Sequence, residues 1–448
     1  MSLVRDTAAA LRRIHVTPRT ALLAVVPVPV VVWLPGPWPW VAALSWLAVL
    51  AGLAVADYRA AVPAERLAIG RSLPVKLSIG VANPATLSIT NGSQESALLD
   101  VRETPPPGFA GERLRRGVRV GPMRRVELDL AFTPPSRGSF AFGDPGVRSY
   151  GPRRLAARRF DVPLAGPADV YPDVTAVRAA ALAARKGQLR ELGIKTLRTS
   201  GAGTEFESLR DYADGDDFRD IDWKATARRG APVVRRFQPE RSQTVVLAVD
   251  TGRMMQGRAG ALSKLDRAVN AALLLAFMGT RAGDQIGLLV FGRDVDAYLP
   301  PRRGHRAFLA ILDELHRAEG RLEEPDYARA LRYLAARMPK RSLVVLFTDV
   351  VGAEPSRRLL DTLRGLFPRH LPLVVTQRNR DIEGLARGPV RTEAEAYRAA
   401  VAEGVLRDKA DALALLSSRG SLVLDVLPER LSVASVNRYL EVKARGLL

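Results

Sequence analysis

The sequence predicts a mixed chain with a mostly parallel α/β domain at its C-terminal end, a β-sandwich-like domain before it, and a two-helix membrane hairpin at its N-terminus. Three observations predict it. One uncharged, strongly apolar region runs from Thr20 to Ala56. Short stretches of period-two alternation, broken by Gly, Pro and Asn, fill the next hundred or so residues. From Thr244 onward, continuous apolar runs alternate with amphipathic helical segments, the pattern of strands buried on both faces of a parallel sheet. The boundaries read as 1–62, 63–167, 168–243 and 244–448.

The hairpin comes first. TALLAVVPVPVVVWL and VAALSWLAVLAGLAVA, about 20–34 and 40–56, flank a PGPWPW connector whose tryptophans suit a lipid–water boundary. Arg5, Arg12, Arg13 and Arg19 precede the pair, Arg59, Arg66 and Arg71 follow it, and the connector carries no charge. By the positive-inside rule both flanks stay in the cytoplasm, which places the soluble domains on the cytoplasmic face of the cell (inner) membrane. A cleaved secretory signal ending at Ala54-Val55-Ala56 is the competing reading, but the apolar region is too long and too proline-broken for one.

In the sandwich-like part the strand candidates are LPVKLSIGV, ATLSITN, ALLDVRE, RVELDLAF and GSFAFGDPGVR. No catalytic constellation falls in them. In the last part the strands read as TVVLAVD, QIGLLVF, SLVVLFTD, LPLVVT and SLVLDVL, with helices over LSKLDRAVNAALLLAFMG, HRAFLAILDELHRAE, DYARALRYLAARM and SRRLLDTLRGLF. Ligands of such sheets bind beyond the carboxyl ends of the strands. Asp250 and Asp349 stand at two of those ends.

Composition removes several functions. The chain has no cysteine, so disulfides, thiolate metal sites and cysteine nucleophiles are excluded. Its four histidines (His15, His305, His316, His370) have no short ligand spacing. A net charge of +20, from 67 basic against 47 acidic residues, is spread along the chain and aromatics are only 6% of it. That distribution disfavours nucleic acid, which wants a basic face with stacking aromatics, and favours a surface beside anionic lipid, worth about 1 kcal/mol per nearby basic residue.

The most distinctive stretch is Gly203 to Gly230, in which Asp211, Asp214, Asp216, Asp217, Asp220 and Asp222 interleave with Arg210, Arg219, Lys224, Arg228 and Arg229. Calcium would need carboxylates at the first, third and fifth places of a loop and a glutamate at the twelfth, and no start position supplies them. Arginine–carboxylate pairing needs no ion. The expectation is a helix from Asp220 to Arg229 with Trp223 buried as its anchor, with Arg210, Arg219 and Arg228 paired to Asp216, Asp220 or Asp222, and with some charges, Arg219 and Lys224 among them, left for a partner.

The same stretch resembles the signature EF-x-x-LR-x-Y-x-x-GD-x-x-R-x-IDWK-x-x-AR of the bacterial and archaeal domain-of-unknown-function family numbered fifty-eight, in which it precedes a von Willebrand factor A-like domain. Glu205, Phe206, Leu209, Arg210, Tyr212, Gly215, Asp216, Arg219, Ile221, Asp222, Trp223, Lys224, Ala227 and Arg228 all fall in place. The resemblance implies a Rossmann-type von Willebrand A-like domain and neighbours among MoxR-type AAA+ ATPases and other membrane or von Willebrand A-like proteins. In integrin-type domains an Asp-x-Ser-x-Ser loop, a threonine and a second aspartate hold magnesium. Here the loop is Asp250-Thr251-Gly252-Arg253-Met254, with Gly252 and Met254 in the serine places and Asp349 matching the later aspartate. That leaves at most a degenerate magnesium site, and the competing expectation is that the two aspartates pair with arginines or cap helices. The function expected is a membrane-anchored, cytoplasm-facing scaffold or adaptor without a cofactor and without catalytic residues, binding proteins beside a MoxR-type AAA+ ATPase. The alternative is a metal-dependent hydrolase at the top of the α/β sheet.

Overall fold

Alternation in the sequence becomes alternation in burial along the strand Asn83–Asn91, whose Ala85, Leu87 and Ile89 are buried while the residues between them are not. The computed structural model describes residues 14–195, 205–213, 218, 221–238, 242–350, 353–366 and 369–447. It is a mixed α/β chain with several sheets, divided into two compact units, Met1–Tyr171 and Pro172–Leu448.

The first unit carries a five-stranded, a four-stranded and a three-stranded sheet. Phe109, Phe132 and Phe142, all about 1% exposed, meet edge to face in its core. Its apolar helix α1 (Trp38–Ala60, 23 residues) is the one helix among the described residues that is long and apolar enough to cross a membrane. At 1.5 Å per residue it reaches past the roughly 30 Å hydrocarbon core. The first expected span is different: it breaks into Pro18–Val25 and Val28–Trp33. The break falls at Val26 and Pro27; Pro29, the second residue of the new helix, occupies a position whose N–H would have no partner in the helix. Near the far end of α1, Asp57 is fully buried and accepts hydrogen bonds from the backbone N–H groups of Arg153, Leu155 and Ala156 at 2.8, 2.7 and 3.1 Å. Gly151 is required beside it, because a Cβ there would lie 2.4 Å from the Asp57 carboxyl. The helix is thus fastened to the sheet that follows it.

The second unit is built on a six-stranded sheet. In chain order its strands are β1 (Thr244–Asp250), β2 (Gln285–Phe291), β3 (Val295–Arg302), β4 (Leu343–Phe347), β5 (Leu371–Gln377) and β6 (Leu422–Val426), and across the sheet they run β3-β2-β1-β4-β5-β6. All neighbours are parallel except β2 and β3. Strand β3 lies at an edge, and its Pro300 and Pro301 can be tolerated only there because proline donates nothing to a ladder. Strands β1, β2 and β4 are buried almost throughout, as expected of strands covered on both faces. Helix α2 (Lys264–Arg281) follows β1 and starts in a capping box between Ser263 and Asp266. At the other end of the sheet, fully buried Asp284 accepts from Gln243 N at 2.9 Å and from Tyr439 OH, and pairs with Lys443 at 2.6 Å, which holds the C-terminal helix Leu431–Ala444.

Candidate functional site

Strand order makes the gap between β1 and β4 the place where the connections leave the sheet in opposite directions. Such a switch point is where open parallel sheets hold ligands, just beyond the strand ends. Asp250 is the last residue of β1, and Asp349 lies two residues past β4. They are 1% and 2% exposed.

Asp250 is held by hydroxyls and backbone. Its Oδ1 accepts from Gly252 N at 2.7 Å, and its Oδ2 contacts Thr348 Oγ1 at 2.6 Å and Tyr327 OH at 3.2 Å. The two hydroxyls are themselves 2.9 Å apart. That triangle has three oxygen contacts and, with Asp250 ionised, two hydrogens to fill them. A proton on Asp250 supplies the third. Burial pushes the Asp250 carboxyl up to about 6, partly offset by the Thr348, Gly252 and Tyr327 hydrogen bonds.

Asp349 faces cations. Its Oδ2 pairs with Lys264 Nζ, and its Oδ1 lies 3.4 Å from Lys409 Nζ. Lys409 also reaches Asp425 Oδ1 at 3.0 Å and donates to the Gln377 carbonyl at 2.5 Å. Gln377 Nε2 in turn donates to the Lys264 carbonyl at 2.7 Å. Lys264 and Lys409 are 7% and 8% exposed, and a buried lysine persists as a cation only when paired and hydrogen-bonded in this way.

The donor set does not fit a magnesium ion. Octahedral coordination wants oxygens from several ligands with room for water. At Gly252 a Cβ would lie 2.7 Å from Pro325 Cδ and 3.0 Å from Asp250 Oδ1, so the backbone leaves no room for a serine there. Two ammonium groups already neutralise the Asp349 side. Among the described residues no group of three or more His, Asp or Glu side chains could hold a metal ion. The expected arginine partners are corrected as well: Asp349 pairs with lysines and Asp250 with hydroxyls, while Arg253 turns outward to Glu324.

The signature forms an arm rather than a buried network. Strands Glu205–Asp211 and Val233–Gln238 pair only with each other, and a short helix, Trp223–Arg229, lies between them. Asp222 is its N-cap, accepting from Lys224 N and Ala225 N at 3.0 Å each. The helix therefore begins at Trp223, not Asp220, and Trp223 sits on its first turn at 69% exposure. The expected anchor is wrong for a local reason: Ile221, before the cap, bridges to Val234 and is the residue of this turn that is buried. Phe218 is 72% exposed and stacks at a tilt on Tyr212. Arg210, Lys224 and Arg228 are exposed, and one ion pair among the described residues joins Arg229 to Asp211 at 3.5 Å. Asp216, Arg219 and Asp220 lie outside the described residues. Sequence reasoning missed Lys264, Lys409, Tyr327 and Thr348. Only Thr348, adjacent to Asp349 at the end of an apolar run, carried a readable signal.

The chain is 26% identical over 264 residues, 55% of its length and 82% of theirs, to the uncharacterized proteins Rv1480 of Mycobacterium tuberculosis and Mb1516 of Mycobacterium bovis. Among solved structures, it aligns with the conserved hypothetical protein BatB from Bacteroides thetaiotaomicron at 12% identity and a TM-score of 0.27, over 45% of this chain and 98% of that one. It aligns with native alpha-2-macroglobulin from Escherichia coli at 18% identity and a TM-score of 0.21, over 25% of this chain and 17% of that one. Residues 208–396 match the family described as "Protein of unknown function DUF58", and this stretch of the chain is a DUF58 family domain.

Proposed function

We propose that the chain is a membrane-anchored scaffold or adaptor whose second unit is a von Willebrand A-like domain that binds proteins, working beside a MoxR-type AAA+ ATPase on the cytoplasmic side of the cell membrane. The observation that carries the proposal is the exposed Trp223. A tryptophan left 69% exposed on a capped helix, with Phe218 at 72% on the same arm, contributes little to folding, whereas aromatic residues ringed by charge are the usual energetic centres of protein interfaces. Lys224, Arg228 and Arg210 supply the polar rim. Strand order β3-β2-β1-β4-β5-β6 with one antiparallel edge supports the von Willebrand A-like reading, and helix α1 with its arginine flanks supports the anchor.

The hydrolase alternative has less support, because both sheet-top carboxylates are buried and engaged by hydroxyls or ammonium groups. The test is capture of a purified MoxR-type ATPase on the full-length chain in detergent. Wild type should retain it, and Trp223→Ala and Lys224→Ala should each lose at least tenfold in affinity. Equal capture by all three would remove the arm from the interface.

A further inference from the structure

The switch point of the second unit holds a feature that the scaffold reading does not use. The crevice between the ends of β1 and β4 is where a parallel sheet would take a ligand, and here two lysine side chains from separate helices enter it from within the chain. Lys264 is the first residue of α2, its stem passing within 3.5 Å of where a Cβ on Gly257 would lie. Lys409 comes from the long helix Glu393–Ser418. Both ammonium groups meet Asp349, and Lys409 also meets Asp425. Two cations then face two carboxylates, Asp349 and Asp425. Asp250 lies beside them in its hydroxyl triangle. The two lysines are tied through Gln377, whose carbonyl accepts from the Lys409 ammonium and whose side-chain amide donates to the Lys264 carbonyl. Asp349 Oδ1 has no hydrogen-bond donor, so the pocket leaves one carboxylate oxygen directed at charge alone.

We infer that the Lys264 ammonium, seconded by Lys409, is a built-in substitute for a divalent cation at the switch point, so that the sheet top is closed in one metal-independent state. The physical ground is that a buried carboxylate must be compensated, and a tethered ammonium does so without the loss of translational freedom that an ion incurs on binding. Removing the tether should uncover what it replaces. Lys264→Ala leaves a cavity bordered by Asp349 and near Asp250, with room for an ion and its waters. Lys264→Met fills that cavity with an apolar stem and leaves none.

The experiment uses the full-length chain in detergent and Mn2+ as the probe, read by thermal melting and by electron paramagnetic resonance of bound Mn2+. Wild type should melt identically in chelator and in millimolar Mn2+ and bind no stoichiometric ion. Lys264→Ala should melt roughly 5–10 °C lower in chelator, recover at least half of that in Mn2+, and bind one ion that is lost on adding Asp349→Asn. Lys264→Met should be destabilised and show no recovery. A stoichiometric Mn2+ in wild type that Asp349→Asn abolishes would overturn the inference. So would a Lys264→Ala chain that Mn2+ leaves unchanged, or one that stays unfolded in Mn2+ while Lys264→Met folds. None of these readouts involves capture of the ATPase, so the scaffold reading stands or falls separately.

Discussion

The signature arm and the sheet top are both rich in acidic and basic residues, yet they use them in opposite ways. On the arm the ion pair Arg229–Asp211 is 3.5 Å long, with both side chains more than half exposed, and the largest aromatics face water. At the sheet top Asp250, Asp349, Lys264 and Lys409 are all at least nine-tenths buried, and each of the four has an opposite charge or a hydroxyl against it. The stretch with the denser motif is therefore the one whose charges contribute less to stability. Exposed pairs are worth about 0–1 kcal/mol, whereas breaking a buried pair costs about 3–5 kcal/mol. The proposed partner surface thus draws on charges that do little for folding.

The comparison breaks most readily at Asp349. Asp349→Asn leaves Lys264 facing an amide and Lys409 with Asp425 alone, which should destabilise the second unit by about 3–5 kcal/mol. Arg229→Ala on the arm should cost under about 1 kcal/mol. Denaturant unfolding of the two full-length variants side by side checks the contrast. Similar losses in both would mean that burial does not separate the regions.

Asp250 sharpens it through pH. The folded chain keeps a proton on this carboxyl up to about pH 6, where an unfolded chain releases it near 3.8. Stability from this group is therefore complete below about pH 4, falls as the pH rises to 6, and is absent above it. Two pH units correspond to about 3 kcal/mol. Asp250→Asn cannot ionise and keeps a hydrogen for the triangle with Thr348 and Tyr327. Its stability relative to wild type should rise by about 2–3 kcal/mol between pH 4 and pH 7, read from melting curves across that range. A parallel pH dependence in the two proteins would place the titrating group elsewhere.

Much of the architecture was legible because burial leaves a period in the sequence. The runs TVVLAVD and QIGLLVF coincide with β1 and β2, and the segment read as LSKLDRAVNAALLLAFMG lies within two residues of Lys264–Arg281 at each end. Strand β3 was not legible, since Val295–Arg302 carries two prolines and shows no clean alternation. Nor was the break in the first apolar run resolved, although Pro27 announced it. The site was half legible. Asp250 and Asp349 end strands and could be placed by topology, but Lys264 and Lys409 lie 145 positions apart on helices, and nothing local marks a lysine that will be buried. On the arm the sequence misled, because a tryptophan was assumed to be a core residue where the shorter Ile221 is the one buried.

The smallest expected effect on stability is also the most discriminating. Burial of a tryptophan would make Trp223→Ala cost about 3–5 kcal/mol, the penalty for emptying a packed site. At 69% exposure there is no site to empty, and the helix keeps its Asp222 cap while Ile221, Val233 and Val234 stay buried. Surface substitutions of this kind stay within about 0.5 kcal/mol, and alanine's better helix propensity returns a few tenths of that at the first turn. The variant should therefore melt within about 2 °C of wild type. That result gives the capture experiment its meaning: a Trp223→Ala chain that melts normally and no longer holds the ATPase has lost a contact and not a fold. If it melts as low as Asp349→Asn, Trp223 packs against something in the folded chain, and the contrast between an open arm and a closed sheet top fails at its central residue.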